Sequence, residues 1–277
     1  MGKVKIKRKS TLIDMTAMSD VTVLLLTFFM LTSTFLQKEP TIVYTPSSVS
    51  EEKVPMNNVV TVLVSSADKS GKLDDPSAVE GKLFISFTGD ADSTFSSEKI
   101  RGMMLAEAVS IYNDQHKNNP VQLTAGQMAE FTKINMFGLP FADLPKFLSM
   151  SITERDKVQG DMTGAEAAKA GIRVGIPIDK NKDRNGRLND FQVWLQAIYN
   201  VAQRINNEQT EGLSPEERAN VQNLYGALMR QGQGIAVKAD KDTPFTTVET
   251  VFDNLQTMKL NKFSLMTALK SEDEPTN

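Results

Sequence analysis

The sequence predicts an α+β protein: a single N-terminal transmembrane helix, then an α/β domain with a mainly helical insert. The first observation is an uncharged apolar run over residues 21–36. The second is a β-branched run at 59–64 and an alternating segment at 235–239, which predict strands. The third is the helical spacing of apolar residues after each strand block. Together they give the order β-β-α…β-α-β. Residues 119–232 are inserted between the first helix and the strand at 235–239.

The apolar run predicts a membrane span. Its sixteen residues cover about 24 Å as a helix, whereas a bilayer core is about 30 Å thick. We therefore expect a transmembrane helix over residues 17–36, which brings Asp20 into or to the edge of the apolar layer. A cleaved signal peptide is disfavoured, because Asp14 and Asp20 interrupt the approach to the run and no small-x-small cleavage site follows it. A buried helix of a soluble protein is disfavoured, because no other segment is apolar enough to enclose it.

The N-terminal residues 1–16 predict the orientation of the span. Five Lys or Arg and no acid occur in the first nine residues, and positively charged flanks stay cytoplasmic. Residues 37–277 are then expected to lie outside the inner membrane. Prolines and serines within 37–57 predict an extended linker, and residues 271–277 form a tail.

Two strand–helix blocks, at residues 58–118 and 233–270, are expected to share one core, with the insert as an added lobe. In each block a helix follows a strand, and the first helix is expected to open at Ser96-Ser97. The apolar stripes that should face the sheet are Ile100, Met103, Met104, Ala108 and Ile111 in the first helix, and Val248, Val251, Phe252 and Leu255 in the second.

The insert at 119–232 is predicted to be mainly helical. Capping boxes at Thr163 with Glu166, and at Ser214 with Glu217, predict two helix starts. The segment from Asn181 to Gln192 partly matches a calcium-binding loop, but its first and twelfth positions should be Asp and Glu. A turn at Asn185-Gly186 is the preferred interpretation.

The composition excludes several classes of site. The chain has no cysteine, so disulfides, thiolate metal sites and cysteine nucleophiles are excluded. Its single histidine, His116, excludes multi-histidine zinc sites and is interpreted as a solvated surface residue. The net charge of −3 gives no reason to expect a nucleic-acid partner. We predict no metal site, no cofactor and no enzymatic activity.

Asp20 is the candidate functional residue. A carboxylate in a membrane span is costly unless it is paired, hydrated or protonated, so an intramembrane Asp indicates a proton-handling role by default. Two other interpretations stay open on the residues alone. The side chain could extend to the membrane interface, or it could cap the N-terminus of the helix.

Residues 12–30 resemble the start of the ExbD/TolR family of biopolymer transport proteins. That family opens its span with a pattern like Asn-x-Thr-Pro-x-x-Asp-Val, followed by leucines and a Phe-Met pair. Asp14 stands here in place of the usual Asn, and Ala17 in place of the usual Pro. The C-terminal block resembles the end of the family's periplasmic domain, and the insert resembles that of a longer ExbD-like branch. The residues that match in register are Thr16, Asp20, Val21, Phe29 and Met30.

The resemblance implies a proton-driven motor subunit. It implies that Asp20 binds the proton, that Thr16 and Asp14 support it at the start of the span, and that protons replace any cofactor. It also implies a ring of ExbB-like polytopic subunits, a TonB-like periplasmic partner and a homodimer or a heterodimer with another ExbD-like chain. A TolR-like subunit of the Tol-Pal system is the alternative.

Two rivals are disfavoured. A flagellar stator of the MotB class would resemble OmpA at its C-terminal end, with a peptidoglycan-binding motif that is not found here. A membrane-anchored envelope enzyme has no support from a GxSxG or HExxH motif.

Overall fold

The computed structural model describes residues 15–32, 39–40, 43–48, 55, 57–65, 82–89, 95–161, 164–178, 186–231 and 233–269. The chain divides into two compact units, residues 1–38 and residues 39–277. Predictions that concern residues 1–14, including Asp14, and residues 33–36 of the expected span lie outside the described residues.

The first unit contains helix α1 (Met15–Thr32). Its apolar side chains are exposed on all faces, from 55% of the side chain at Leu25 to 87% at Leu31. Among the residues that the structure describes, no helix combines the length and the apolar character needed to cross a bilayer.

The second unit is built on a five-stranded sheet. The strands of the described chain are β1 (Ser47–Ser48), β2 (Val59–Ser65), β3 (Lys82–Thr88), β4 (Met136–Phe137), β5 (Ile235–Ala239), β6 (Ser264–Met266) and β7 (Ala268–Leu269). The strand order is β4-β3-β2-β5-β6. β2 pairs antiparallel with β3 and parallel with β5, so the two predicted blocks meet at the centre of the sheet. The α+β class is confirmed.

Helices follow the strands as the sequence predicts, and their caps explain where they begin. Ser96 caps α2, and the Ser214–Glu217 capping box opens α8. Thr163 lies outside the described residues, and α6 follows Gly164. The helices are α2 (Ser97–Gln115), α3 (Ala125–Thr132), α4 (Leu144–Leu148), α5 (Ile152–Gly160), α6 (Ala165–Ala170), α7 (Asp190–Thr210), α8 (Pro215–Asn220), α9 (Leu224–Gly226) and α10 (Phe245–Thr257), with a 3₁₀ turn at Phe141–Asp143 and a π turn at Ala227–Gln231.

One hydrophobic core joins the two blocks and the insert. Val62 of β2, Met104 of α2 and Trp194 of α7 belong to the same buried cluster. α7 places its apolar residues at helical spacing, and they fill the space against α2 and the sheet. The expectation of an added lobe is therefore wrong: the central helix of the insert is part of the core of the α/β domain.

The predicted helix stripes are confirmed in part. Ile100, Met104 and Ala108 of α2 are buried, but Met103 and Ile111 are only half-buried. Leu105 and Tyr112 take the buried positions on the neighbouring part of the helix surface. On α10, Val251 and Leu255 are fully buried, whereas Val248 and Phe252 lie at the edge of the core.

Residues 39–40 and 43–48, which we call the strap, are bound to the rest of the second unit. Val43 is buried against Leu63 and Phe84, on a small cluster distinct from the main core. Glu39 forms an ion pair with Lys238 at 2.7 Å. β1 pairs with β7 in parallel. This part of the predicted linker is therefore docked onto the domain by main-chain and side-chain contacts.

Candidate proton-carrying site

Asp20 lies inside α1, not at its end. The described helix begins at Met15, so five helical residues precede Asp20. A capping side chain belongs to the residue just before the helix and accepts hydrogen bonds from the second or third helical N–H group. Asp20 therefore does not cap the helix, and the open alternative to a proton-handling role is a side chain that extends to the interface.

Asp20 and two threonines lie on one face of α1. Thr16 precedes Asp20 by four residues and Thr27 follows it by seven, and both spacings return to the same side of a helix. All three side chains are exposed. Thr16 was predicted from the sequence motif, whereas Thr27 was missed, although its seven-residue spacing from Asp20 was visible in the sequence.

The hydroxyl groups of Thr22 and Thr27 form hydrogen bonds within the helix. The Thr22 hydroxyl donates to the carbonyl oxygens of Met18 and Ser19, each at 2.8 Å. The Thr27 hydroxyl donates to the carbonyl oxygen of Leu24 at 2.9 Å. Such back-bonding lets a hydroxyl enter an apolar layer at little cost. Asp20 is the only charged residue of α1 and thus the group whose stability there depends on an outside partner or on protonation.

The calcium-loop alternative gains no support from the residues that are described. Asn181 and Asn185 lie outside them. Gln192, at the place of the twelfth ligand, is buried; its Oε1 accepts from the Asn189 N–H at 3.3 Å, and its Nε2 donates to Asn254 Oδ1 at 2.8 Å. Within the described ranges, no group of three His, Asp or Glu side chains could hold a metal ion.

A titratable cluster lies where α2 ends and α7 begins. His116 stacks on Tyr112, with ring centroids 4.1 Å apart, and its Nδ1 is 2.9 Å from the Tyr112 carbonyl oxygen. It is half-buried, not fully solvated as the sequence suggested. Asp190 accepts a hydrogen bond from the Phe141 N–H at 3.0 Å, and burial raises the pKa of its carboxyl group. No nucleophile is hydrogen-bonded to His116 among the described contacts, so this cluster matches no catalytic arrangement.

Asp190 is expected to make the stability of the second unit depend on pH. The pKa of Asp190 is raised in the folded state. The stabilisation from its protonated carboxyl group is therefore fully present below the unfolded-state pKa, near 3.8, and is lost as the pH rises through the folded-state pKa. Asp190→Asn keeps an acceptor for the Phe141 N–H and cannot ionise. We expect the variant to gain free energy of unfolding relative to the wild type on going from about pH 4 to pH 7. Urea titrations followed by Trp194 fluorescence measure this difference.

The matched control is Asp114→Asn, at an exposed carboxylate on α2. This variant should follow the wild type across the same pH range. A constant difference between Asp190→Asn and the wild type at every pH would contradict the assignment.

The first part of the chain matches a known protein family. Residues 7–136 match the family model described as biopolymer transport protein ExbD/TolR. The match covers α1, β1, β2, β3, α2 and α3 and ends at the start of β4, so it includes Asp20 but not the C-terminal block. No curated protein and no solved structure matches the chain.

The matched family has a known broad function. Its members are inner-membrane-anchored, non-enzymatic proteins of transport energy transduction, and they generally work with ExbB/TolQ and TonB/TolA partners. The match confirms the resemblance that rests on Thr16, Asp20, Val21 and Phe29-Met30. Residues 7–136, slightly less than half of the chain, are therefore similar to the ExbD/TolR family of biopolymer transport proteins.

Proposed function

We propose that this chain is the ExbD-like subunit of an ExbB/ExbD-type inner-membrane motor, which uses the proton motive force to energise TonB-dependent outer-membrane transport. The observation that carries the proposal is Asp20, the only charge of an otherwise uncharged helix, at the matching position of the family motif. The chain is proposed to act without a cofactor or metal and to catalyse no reaction. The Tol-Pal alternative shares the family, and the ExbD-type assignment is preferred because the insert resembles that of a longer ExbD-like branch.

The proposed anchor is a single span over residues 17–36. In support of it, the large apolar side chains of α1 are exposed on every side of the helix. A helix that exposes leucine and phenylalanine all round is suited to lipid or to partner helices. The basic N-terminus stays in the cytoplasm, and the domain from residue 37 onward lies in the periplasm.

The proposed mechanism starts at Asp20. An exposed carboxylate on a lone helix conducts no protons, so partner helices must bury it and supply a path; ExbB-like polytopic subunits fit this role. Protonation removes the cost of the buried charge and lets the helix shift within the ring. The movement then passes along the chain to the periplasmic domain and its TonB-like partner. We expect two such chains, as a homodimer or as a heterodimer with another ExbD-like protein.

The topology can be tested with a reporter. A periplasm-active enzyme fused after Asn277 should be active, and a cytoplasm-active reporter at the same place should be silent, because the span carries its positive flank on the N-terminal side. The same pair of reporters fused after Lys9 should give the opposite pattern. Activity of the cytoplasmic reporter after Asn277 would refute the proposed membrane arrangement.

A further inference from the structure

The side chain of Thr27 lies on the face of α1 that carries Asp20. A helix turns by about 100° per residue, so the seven steps from Asp20 bring Thr27 back to within about 20° of the same direction. They also place Thr27 about 10.5 Å further along the helix axis, on the C-terminal side. Thr22 is only two steps from Asp20, which turns it about 160° away. Thr22 and Thr27 are therefore the same residue type on nearly opposite faces of one helix.

The hydrogen bonding of Thr27 leaves its oxygen open to a donor. Its hydroxyl proton is donated to the Leu24 carbonyl oxygen at 2.9 Å. A hydroxyl oxygen has two acceptor lone pairs besides its one donor proton. Among the described residues, no N–H or O–H group donates to the Thr27 hydroxyl oxygen. Thr27 can therefore accept a hydrogen bond from a water molecule while its own proton stays bonded to the backbone.

The rest of this face offers water no hydrogen-bonding group. From Asp20 toward the C-terminal end of α1, the other side chains on the same face are Val23, Leu24 and Leu31. All three are hydrocarbon. Within residues 21–32 of the described helix, Thr27 is thus the one polar side chain on the face of Asp20.

The long side of the proposed span is the periplasmic one. Asp20 lies three residues from the start of the span at 17 and sixteen from its end at 36. These separations correspond to about 4.5 Å and about 24 Å of helix. A proton from the periplasm must therefore cross most of the apolar layer to reach Asp20. Thr27 divides that distance: with about 2.8 Å between hydrogen-bonded oxygens, about three water molecules connect its hydroxyl to the carboxylate.

Asp20 also determines what Thr27 faces. A charged side chain in a membrane span faces the interior of a bundle or a water-filled cavity, not lipid. In the proposed motor, the ring of polytopic subunits supplies that cavity. Thr27 shares the direction of Asp20 and therefore lines the same cavity, whereas Thr22 points away from it.

We propose that Thr27 is a positioning residue for proton uptake, which holds the chain of water molecules that carries protons from the periplasm to Asp20. The inference rests on the proposed function, because it takes Asp20 as the proton acceptor. A proton enters the chain as hydronium on the periplasmic side, and each water passes one proton to the next. The last water protonates the Asp20 carboxylate, which becomes a neutral acid. The Thr27 hydroxyl keeps its own proton on the Leu24 carbonyl throughout.

The experiment compares variants at the two threonines in cells that contain the partner subunits. Thr27→Val keeps the shape of the side chain and removes the hydroxyl, and Thr27→Ser keeps a hydroxyl. Thr22→Val is the matched control, because Thr22 is also exposed and bonded to the backbone of α1. Asp20→Asn is measured in parallel. Energised uptake through a TonB-dependent transporter is recorded over a range of external pH, in light and in heavy water, in cells with equal amounts of assembled protein.

The expected result is a loss of about two- to tenfold in the uptake rate of Thr27→Val, the usual effect of one hydrogen bond. The loss should grow as the external proton concentration falls, and the solvent isotope effect should exceed that of the wild type, because proton delivery then limits the rate. Thr27→Ser should restore both the rate and its pH profile. Thr22→Val should behave as the wild type.

Uptake by Thr27→Val equal to that by Thr22→Val would overturn the inference. So would a loss that is the same at every external pH and in both solvents, since that is the effect of altered packing. Failure of Thr27→Ser to restore uptake would also overturn it, because the hydroxyl would not be the group that matters. In each case a silent Asp20→Asn variant leaves the proposed function standing, whereas near-wild-type uptake by Asp20→Asn would overturn both together.

Discussion

Asp20→Asn should abolish energised transport while leaving the amount of protein and its assembly unchanged. Asparagine has nearly the size of aspartate and forms similar hydrogen bonds, but it never ionises. The substitution also removes the cost of placing a charge in the apolar layer, so insertion should be at least as efficient as in the wild type. Uptake through a TonB-dependent transporter, measured with and without a protonophore, should fall in the variant to the protonophore level.

Two further variants sharpen the test of Asp20. Asp14→Asn introduces the family's usual residue outside the apolar run, so transport should be retained. Asp20→Glu keeps a titratable carboxylate on a side chain one methylene longer, and partial transport is expected. If Asp20 only extends to the membrane interface, Asp20→Asn should transport nearly as well as the wild type, since no charge is then required. Near-wild-type uptake by Asp20→Asn would refute the proton-carrier assignment.

The parts of this protein that could be predicted from the sequence are those encoded by local pattern. The β-branched run at 59–64 forms the central strand β2, because such residues pack well on both faces of a buried sheet. Ser96 and Ser214 cap their helices because a hydroxyl oxygen accepts the free N–H groups of the first turn. Asp20 was identified by the contrast between one charge and an apolar run.

The parts that were missed depend on contacts between distant residues. The pairing of Ser47–Ser48 with Ala268–Leu269 could not be predicted, because segments of two residues show no alternation of apolar and polar side chains. Asp240 is buried because it accepts N–H groups from Tyr44 and Asp242, and periodicity cannot reveal a buried acid that binds backbone. Trp194 and the other apolar residues of α7 were not singled out as core residues in the sequence, because their burial depends on which surface the helix covers.

Trp194→Ala should destabilise the whole second unit by about 3–5 kcal/mol, the usual cost of deleting a fully buried aromatic side chain. Trp194 is 0% exposed. It stacks on Phe141 at 5.1 Å and lies 5.9 Å from Phe87 on β3, within the family-matched region. Trp194, in the insert, therefore packs in the same core as strand β3 of the sheet. Chemical unfolding followed by circular dichroism should show one cooperative transition, shifted as a unit to lower denaturant.

Two variants on the same helix serve as controls. Trp194→Phe keeps an aromatic ring and removes the Nε1–H, which has no hydrogen-bond partner among the described residues, so its cost should be smaller than that of the alanine variant. Glu208→Ala, on the exposed side of α7, should change the free energy of unfolding by less than about 0.5 kcal/mol. Two separate transitions, of which Trp194→Ala moves only one, would mean that the insert folds independently. That result would contradict the single core, because residues that share one packed interior must lose their structure together.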